Sequence, residues 1–366
     1  MRSLFASVIA GGLVVASACG GAAPAANPSP SAAPSAAASA SSGGAPQSAD
    51  QVMATLYAAA KADGEKTVAF YSSMNTGDAK VILPAFTKQF PGITVDETRL
   101  DSTKLVAKVV AEKKAGQNLV DVIETSSFDA LYLIDQGYTQ PYQNASWNDY
   151  QAGARDDEKH LWFADRENNE LPGINTTKIK PGEITTWTDL CKPQYSGHFA
   201  VEVGDSVMYT AFIHLYGKDK AQQIVKCLAA NHPSMRSGHT AMADLLAAGE
   251  FWATFMNHGH ELTKLKYDKK APIDWVHTNP IITDPVLTAL AQKPPHPSAA
   301  KLFIEWLASP SGQQAIASRG RVPSSTKVKP KYPGINDFAP KYYISPKWAA
   351  ESNADTKFWD QTFGIQ

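Results

Sequence analysis

The chain has 366 residues, with 34 basic and 35 acidic side chains, a formal net charge of −1 and three cysteines. Balanced charge without a polybasic block argues against nucleic acid and against electrostatic adsorption to membranes. Beyond an N-terminal apolar run, no segment approaches the ~20 apolar residues that a bilayer span needs, so membrane association would rest on a lipid.

Taken in chain order, the first element is an export signal. Arg2 precedes an apolar run from Leu4 to Ala18, which ends in Val15-Ala16-Ser17-Ala18-Cys19-Gly20. The string resembles a bacterial lipoprotein signal (residues 1–18), cleaved before Cys19, whose sulfur and new N-terminus then carry lipid. Ala16 stands where that pattern usually has Leu, and an ordinary secretory signal cut nearby is the alternative. Both readings place the protein outside the cytoplasm. Gly20 to Ser48 consists almost wholly of Ala, Pro, Ser and Gly, with no charge and no aromatic ring. Such a stretch buries too little apolar surface to offset the entropy of ordering it, so residues 19–49 are expected to form a tether. The folded part then starts near Asp50, and its ~315 residues suit two lobes better than one core.

Strand and helix signals alternate from there. Thr67–Tyr71 is a short apolar strand, Asp78–Phe90 a helix kinked by Pro84, and Ile93–Leu100 a second strand. Ser102 is the expected cap of a helix to Ala115, stopped by Gly116. Leu119–Glu124 reads as a strand and Phe128–Gln136 as a helix stopped at Gly137. The grammar resumes with a strand over Phe199–Val203, helices over Lys218–Ala230 and Thr240–Ala248, and a strand over Phe251–Met256. Two helices follow, Ser298–Ala308 and Gly312–Arg319, separated by Ser309-Pro310-Ser311. The fold class is α/β, with two open sheets. Outside the cytoplasm, Cys191 and Cys227 form a candidate disulfide closing a loop of roughly 36 residues; two separate buried thiols are the alternative.

Ligands of open α/β sheets sit beyond the carboxyl ends of the strands, near helix N-termini. Three loops occupy such places: Ser72-Ser73-Met74-Asn75-Thr76, Thr125-Ser126-Ser127, and Arg236-Ser237-Gly238-His239-Thr240. Each supplies hydroxyls and free N–H groups suited to an anion or carbonyl-rich solute, although Ser, Thr and Asn are also ordinary helix caps. Arg236 can pair an anionic group bidentately. Glu202 and Asp205 can meet a cationic part of a ligand or remain solvated loop acids. Asn257 and His258 complete the candidate set. The pair His258 and His260 has the donors for a metal but is an incomplete set. Trp162, Tyr209, Phe251 and Trp252 are candidate cleft aromatics, with core packing the plainer role for the last two.

Several strings carry a resemblance. They are Phe70-Tyr71-Ser72-Ser73-Met74-Asn75, Asp121-Val122-Ile123-Glu124-Thr125-Ser126, Arg236-Ser237-Gly238-His239-Thr240, Ala247-Ala248-Gly249-Glu250, Pro295-His296-Pro297-Ser298-Ala299-Ala300 and Gly320-Arg321-Val322-Pro323. In this order, from about Val52 to the C-terminus, the chain resembles bacterial periplasmic solute-binding proteins of the type 2 fold. The branch is the one labelled ferric-iron ABC transporter substrate-binding protein. The resemblance implies two α/β lobes with a ligand cleft between them, joined by crossings near Trp162–Arg166 and Ile273–Val276. It divides the chain into lobe one (50–165), lobe two (166–272), a return to lobe one (273–325) and a tail packed on the lobes (326–366). It also implies that closure on a small-molecule or metal-chelate ligand creates a shape that an ABC permease and its ATPase recognise.

The iron binders of that family hold ferric ion through two adjacent tyrosines, often with a histidine and a carboxylate. Here Asn75 falls at the histidine position, Ser126 near the carboxylate position, and Asn257-His258-Gly259-His260 where the tyrosine pair would stand. The sole Tyr-Tyr pair, Tyr342-Tyr343, lies in the tail. The expectation is therefore a lipid-anchored, monomeric ABC receptor without a cofactor, for an oxyanion, an organic anion or a metal chelate. A direct ferric-ion binder, an extracellular sensory lipoprotein and a hydrolase remain as alternatives. No Gly-x-Ser-x-Gly or His-Glu-x-x-His motif supports the last.

Overall fold

The computed structural model describes residues 47–365, so the signal, Cys19 and nearly all of the tether lie outside the described residues. The first half is built from α1 (Ala49–Ala62), β1 (Thr67–Ser72), α2 (Thr76–Gln89), β2 (Thr94–Arg99), α3 (Ser102–Lys114), β3 (Val122–Thr125), α4 (Ser127–Asp135) and β4 (Thr139–Gln140). A long strand, β5 (Phe163–Asn175), leads into β6 (Phe199–Glu202), α5 (Ser206–Tyr216), α6 (Lys218–Ala230), β7 (Ser234–Arg236), α7 (His239–Ala248), β8 (Ala253–His258), α8 (Gly259–Asp268) and β9 (Ile273–Trp275). A second long strand, β10 (Ile281–Ala291), precedes α9 (Pro297–Ala308), α10 (Pro310–Ser318), β11 (Val322–Pro323), β12 (Lys341–Tyr343) and α11 (Ser352–Phe363).

Local chemistry explains most boundaries. Ser48 and Gln51 form a reciprocal capping box at α1. Asn75 caps α2, which continues through Pro84. The cap of α3 is Asp101, whose carboxylate accepts from the Lys104 N–H, rather than the expected Ser102, which is already helical. Pro310 opens α10 instead of separating it from α9, because a helix's first turn needs no proline N–H. β3 begins later than expected, and β8 runs two residues past the expected Met256, to His258. The signals above did not mark β5, β10, α5, α8 or α11.

The strand order is β2-β1-β3-β10-β5-β8-β6-β7. β1 pairs parallel with β2 and β3, and β6 pairs parallel with β8 and β7. Between these groups, β10 and β5 run antiparallel to each other and to their outer neighbours. The β10–β5 register shifts between Val286 and Leu287, just after Pro285, and the β5–β8 register shifts across Pro172, between Leu171 and Gly173. Proline lacks the N–H that a ladder requires, so such breaks are where it is tolerated inside a sheet.

Both faces of the first half are covered. Phe70, Phe86, Phe303 and Trp306 pack edge-to-face on one side, and Tyr71, Leu105, Val109 and Ile123 fill the other. Rings of this kind bury large apolar areas and add geometry-specific attraction. The second half has its own clusters around Phe212 and Phe255 and around Leu246, Leu262 and Trp275. The tail contributes α11, whose fully buried Trp359 packs against Phe255 and donates to the Val203 carbonyl at 3.0 Å. Cys191 and Cys227 are joined in a disulfide with Cα atoms 5.5 Å apart, in this same half.

Candidate functional site

Parallel strands in each half end their carboxyl edges in polar loops, giving two rims. The first rim forms after β1 and β3. Ser72 Oγ donates to Glu97 at 2.5 Å and accepts from the Met74 N–H, and Ser73 Oγ donates to Glu124 at 3.2 Å. Asn75 is exposed and accepts from the Gly77 N–H at 2.8 Å, the ordinary capping bond. Ser126 Oγ donates to Asp129 and Ser127 Oγ to Asp284, each at 2.6 Å. Beneath them Arg166 joins Glu124 at 2.9 Å and Asp165 at 2.7 Å, all three buried. Burial pushes the Glu124 carboxyl upward against the pull of Arg166. It also pushes Asp284 up to about 7, with the Ser127 hydroxyl opposing.

The second rim forms after β6 and β8, at the starts of α5, α7 and α8. Glu202 accepts from the Gly204 N–H at 2.5 Å and the Gly238 N–H at 3.0 Å. Gly238 holds φ +86°, a backbone that other residues rarely adopt. His239 Nε2 lies 3.3 Å from Asp205 Oδ1, and His258 Nδ1 lies 3.0 Å from Glu170 Oε2 on β5. The two imidazole rings are 4.0 Å apart. Asn257 is fully buried; its amide donates to the His239 carbonyl and its oxygen accepts from the His258 N–H. Burial raises Glu170 to about 8 and Asp205 to about 7. Burial opposes the charge on His239, yet the carboxylates of Asp205, Glu170 and Glu202 lift it to about 9. His258 is held well below the usual range by burial and by His239.

A polar chain links the rims. Arg321 Nε donates to Asp78 at 2.6 Å, on the first turn of α2, and its Nη1 meets the ring nitrogens of His260, on the first turn of α8. His260 also lies 3.3 Å from Glu261, which accepts from Thr240 Oγ1 at 3.1 Å, and Arg319 adds a second bond to Asp78 at 3.3 Å. Burial works against ionisation of Asp78, but Arg321 overcomes it and holds the carboxyl low. Burial and Arg321 press His260 down to about 3. Beside this chain lies a cavity of about 380 Å³ lined by Thr240, Glu261, Lys264, Arg319 and Lys331 among others. A larger cavity of about 590 Å³, between α4, residues 152–162 and Lys347, contains none of these residues. The rims are the better candidate, because charge and hydrogen-bonding groups from both halves converge there.

The structure therefore brings His239, Asn257 and His258 together with Glu202 and Asp205. Thr240 and His260 belong to the linking chain. Ser72, Ser73, Ser126 and Ser127 sit at the first rim with their hydroxyls donated to carboxylates. Ser237 is exposed, and Arg236 is exposed with its guanidinium 5.8 Å over the Phe251 ring and one bond to the Met235 carbonyl. Of the candidate aromatics, Tyr209 is buried on Phe358, Phe251 packs in the core, Trp252 stacks on His198, and Trp162 packs on the first half's core and lines the larger cavity. Tyr343 donates to Glu167 at 2.7 Å, and burial drives its phenol far above the normal range. Sequence reading missed Asp78, Glu170, Glu261, Asp284 and Arg321. One signal was present: Asp165-Arg166-Glu167-Asn168-Asn169-Glu170 is a polar run that nonetheless forms a buried strand.

No curated protein matches the chain in sequence. Residues 82–347 match the family of bacterial extracellular solute-binding proteins. Among solved structures, iron-bound HitA from Pseudomonas aeruginosa is similar with a TM-score of 0.72 at 18% identity, covering 81% of this chain and 99% of that one. The ferric binding protein from Campylobacter jejuni is similar with a TM-score of 0.70 at 20% identity, covering 81% and 99%. AfuA from Actinobacillus pleuropneumoniae, with fructose-6-phosphate bound, is similar with a TM-score of 0.69 at 18% identity, covering 82% and 100%. Identities this low speak to the fold: the type 2 periplasmic binding protein fold, two α/β lobes with a cleft between them. The family and these neighbours are binding proteins for transport and not enzymes, and binding proteins of this family deliver ligands to ABC permease and ATPase subunits. Among the described residues no helix is long and apolar enough to cross a membrane. The chain belongs to the bacterial extracellular solute-binding protein family, as a solute-binding protein of the ABC-transporter type.

Proposed function

We propose that the protein is a lipid-anchored receptor, held by acylated Cys19 and the 19–49 tether, that captures a small solute between its lobes and presents it to an ABC permease. The proposed lobes are 50–165 with 273–325, and 166–272, with 326–366 packed on them. The observation that carries this reading is the chain from Asp78 through Arg321 to His260, which ties the α2 rim to the α8 rim. Groups placed to span two lobes are what a solute engages when it favours the closed form. Tyrosinate capture of ferric ion has no support at the rims, since Tyr342 and Tyr343 lie on β12, paired with β10.

The test is a thermal-shift screen of small anions, organic acids, sugar phosphates and metal chelates, followed by small-angle scattering on each hit. A receptor shows a solute that raises Tm by mass action, contracts the particle and is recovered unchanged. Steady consumption of the compound at constant protein would replace this reading with an enzyme.

A further inference from the structure

We propose that the second rim holds a divalent first-row transition-metal ion on Glu202, Asp205 and His239, as the metal of the cargo. This deepens the receptor reading and rests on it. Each of the three residues offers a ligand atom, and these atoms lie within 4.8 Å of one another. Carboxylate oxygens and an imidazole nitrogen are the donors that zinc-like divalent ions take, at about 2.0–2.2 Å, which puts tetrahedral donors roughly 3.4 Å apart. Side-chain adjustment of about 1 Å or less closes that gap.

Capping does not account for these groups. Asp205 occupies the N-cap position of α5, yet its side chain makes no capping bond. Its side chain is 2% exposed, and its Oδ2 has no partner. His239 Nδ1 is likewise buried without a partner. Leaving such atoms unbonded costs free energy, and a cation held by Asp205 would satisfy its free oxygen. The surroundings already orient the donors: two backbone N–H groups hold Glu202, and the Asn257 amide holds the His239 main chain. His258, oriented by Glu170 and 4.0 Å from the His239 ring, stands beside the set as a further donor.

The experiment is calorimetric titration of the EDTA-stripped protein with zinc chloride near pH 7.5. The expected result is one zinc per chain in the parent. H239A and D205N should each weaken binding at least tenfold in protein that circular dichroism shows to be folded. H277A, a histidine stacked on Phe338 away from the rims, should leave binding unchanged. Absence of zinc binding in the parent, or equal binding by both variants, overturns the proposal. Should either variant fail to fold, zinc-edge X-ray absorption of the parent decides. A shell containing imidazole nitrogen and carboxylate oxygen supports the site, and a shell without imidazole removes it. The two readings fail separately. A metal-free solute that contracts the protein while zinc does not bind leaves the receptor and deletes the metal. Zinc bound at these residues with no contraction by zinc or any chelate keeps the metal and deletes the receptor.

Discussion

The two rims occupy equivalent places in their lobes but spend their polar groups differently. At the first rim every candidate serine donates its hydroxyl to a carboxylate of the same half or of β10. At the second rim, buried acids and histidines crowd together and two polar atoms, Asp205 Oδ2 and His239 Nδ1, stay unbonded. The first rim also leaves buried atoms unbonded, Glu124 Oε2, Thr125 Oγ1 and Arg166 Nε, so what sets the second rim apart is that Asp205 and His239 converge with Glu202, with donor atoms within 4.8 Å of one another. Hydroxyl-rich loops carry two readings in sequence, because the residue types that suit an anion are those that cap helices.

Four measurements bear on this contrast. The largest effect is expected at the base of the first rim. Arg166→Met leaves Glu124 and Asp165 buried without their counter-ion, and removing one member of a buried ion pair costs about 3–5 kcal/mol. Urea denaturation should show that loss. A variant of parental stability but altered solute affinity would contradict the structural role assigned to the first rim.

The next effect, roughly 3 kcal/mol between pH 5 and 8, concerns pH. Asp284 titrates near 7 when folded and near the ordinary ~3.9 when unfolded, so the folded state holds the extra proton between those values. Stability from this group is therefore full below about pH 4 and declines as pH rises through 7. Asp284→Asn should flatten the decline in Tm between pH 5 and 8 and surpass the parent at pH 8. An unchanged profile would show that Asp284 ionises freely.

Smaller still, Ser126→Ala should cost about 1 kcal/mol of stability, one ordinary hydrogen bond, and leave solute affinity untouched. Lost affinity would make the first rim a ligand surface after all. Finally, ferric citrate should produce no visible tyrosinate charge-transfer band, because the Tyr343 phenol is bonded to Glu167 and strongly resists ionisation. Appearance of the band would restore tyrosinate capture.

Much of the architecture was legible because its signals are local. The apolar strand at Thr67–Tyr71, the Gly stops after helices and the loops at strand ends are each written within a few residues. The crossing strand β5 was not, since its polar run breaks the apolar pattern by which buried strands are read. Its charges are neutralised by partners distant in sequence, as Arg166 is by Glu124. For the same reason His239 was named but not its carboxylates Asp205 and Glu170 as partners, and the Asp78–Arg321 contact, 243 residues apart, had no local trace.

The register breaks at Pro172 and Pro285 have a mechanical consequence. An unbroken hydrogen-bonded ladder resists bending across its strands, and one such sheet runs through both lobes here. The register of the β10–β5 pair and that of the β5–β8 pair each shift once, so bending concentrated at these points sacrifices few bonds. The sheet is therefore most pliable at its centre, between the two parallel groups of strands. Bending there leaves the parallel ladders on either side intact.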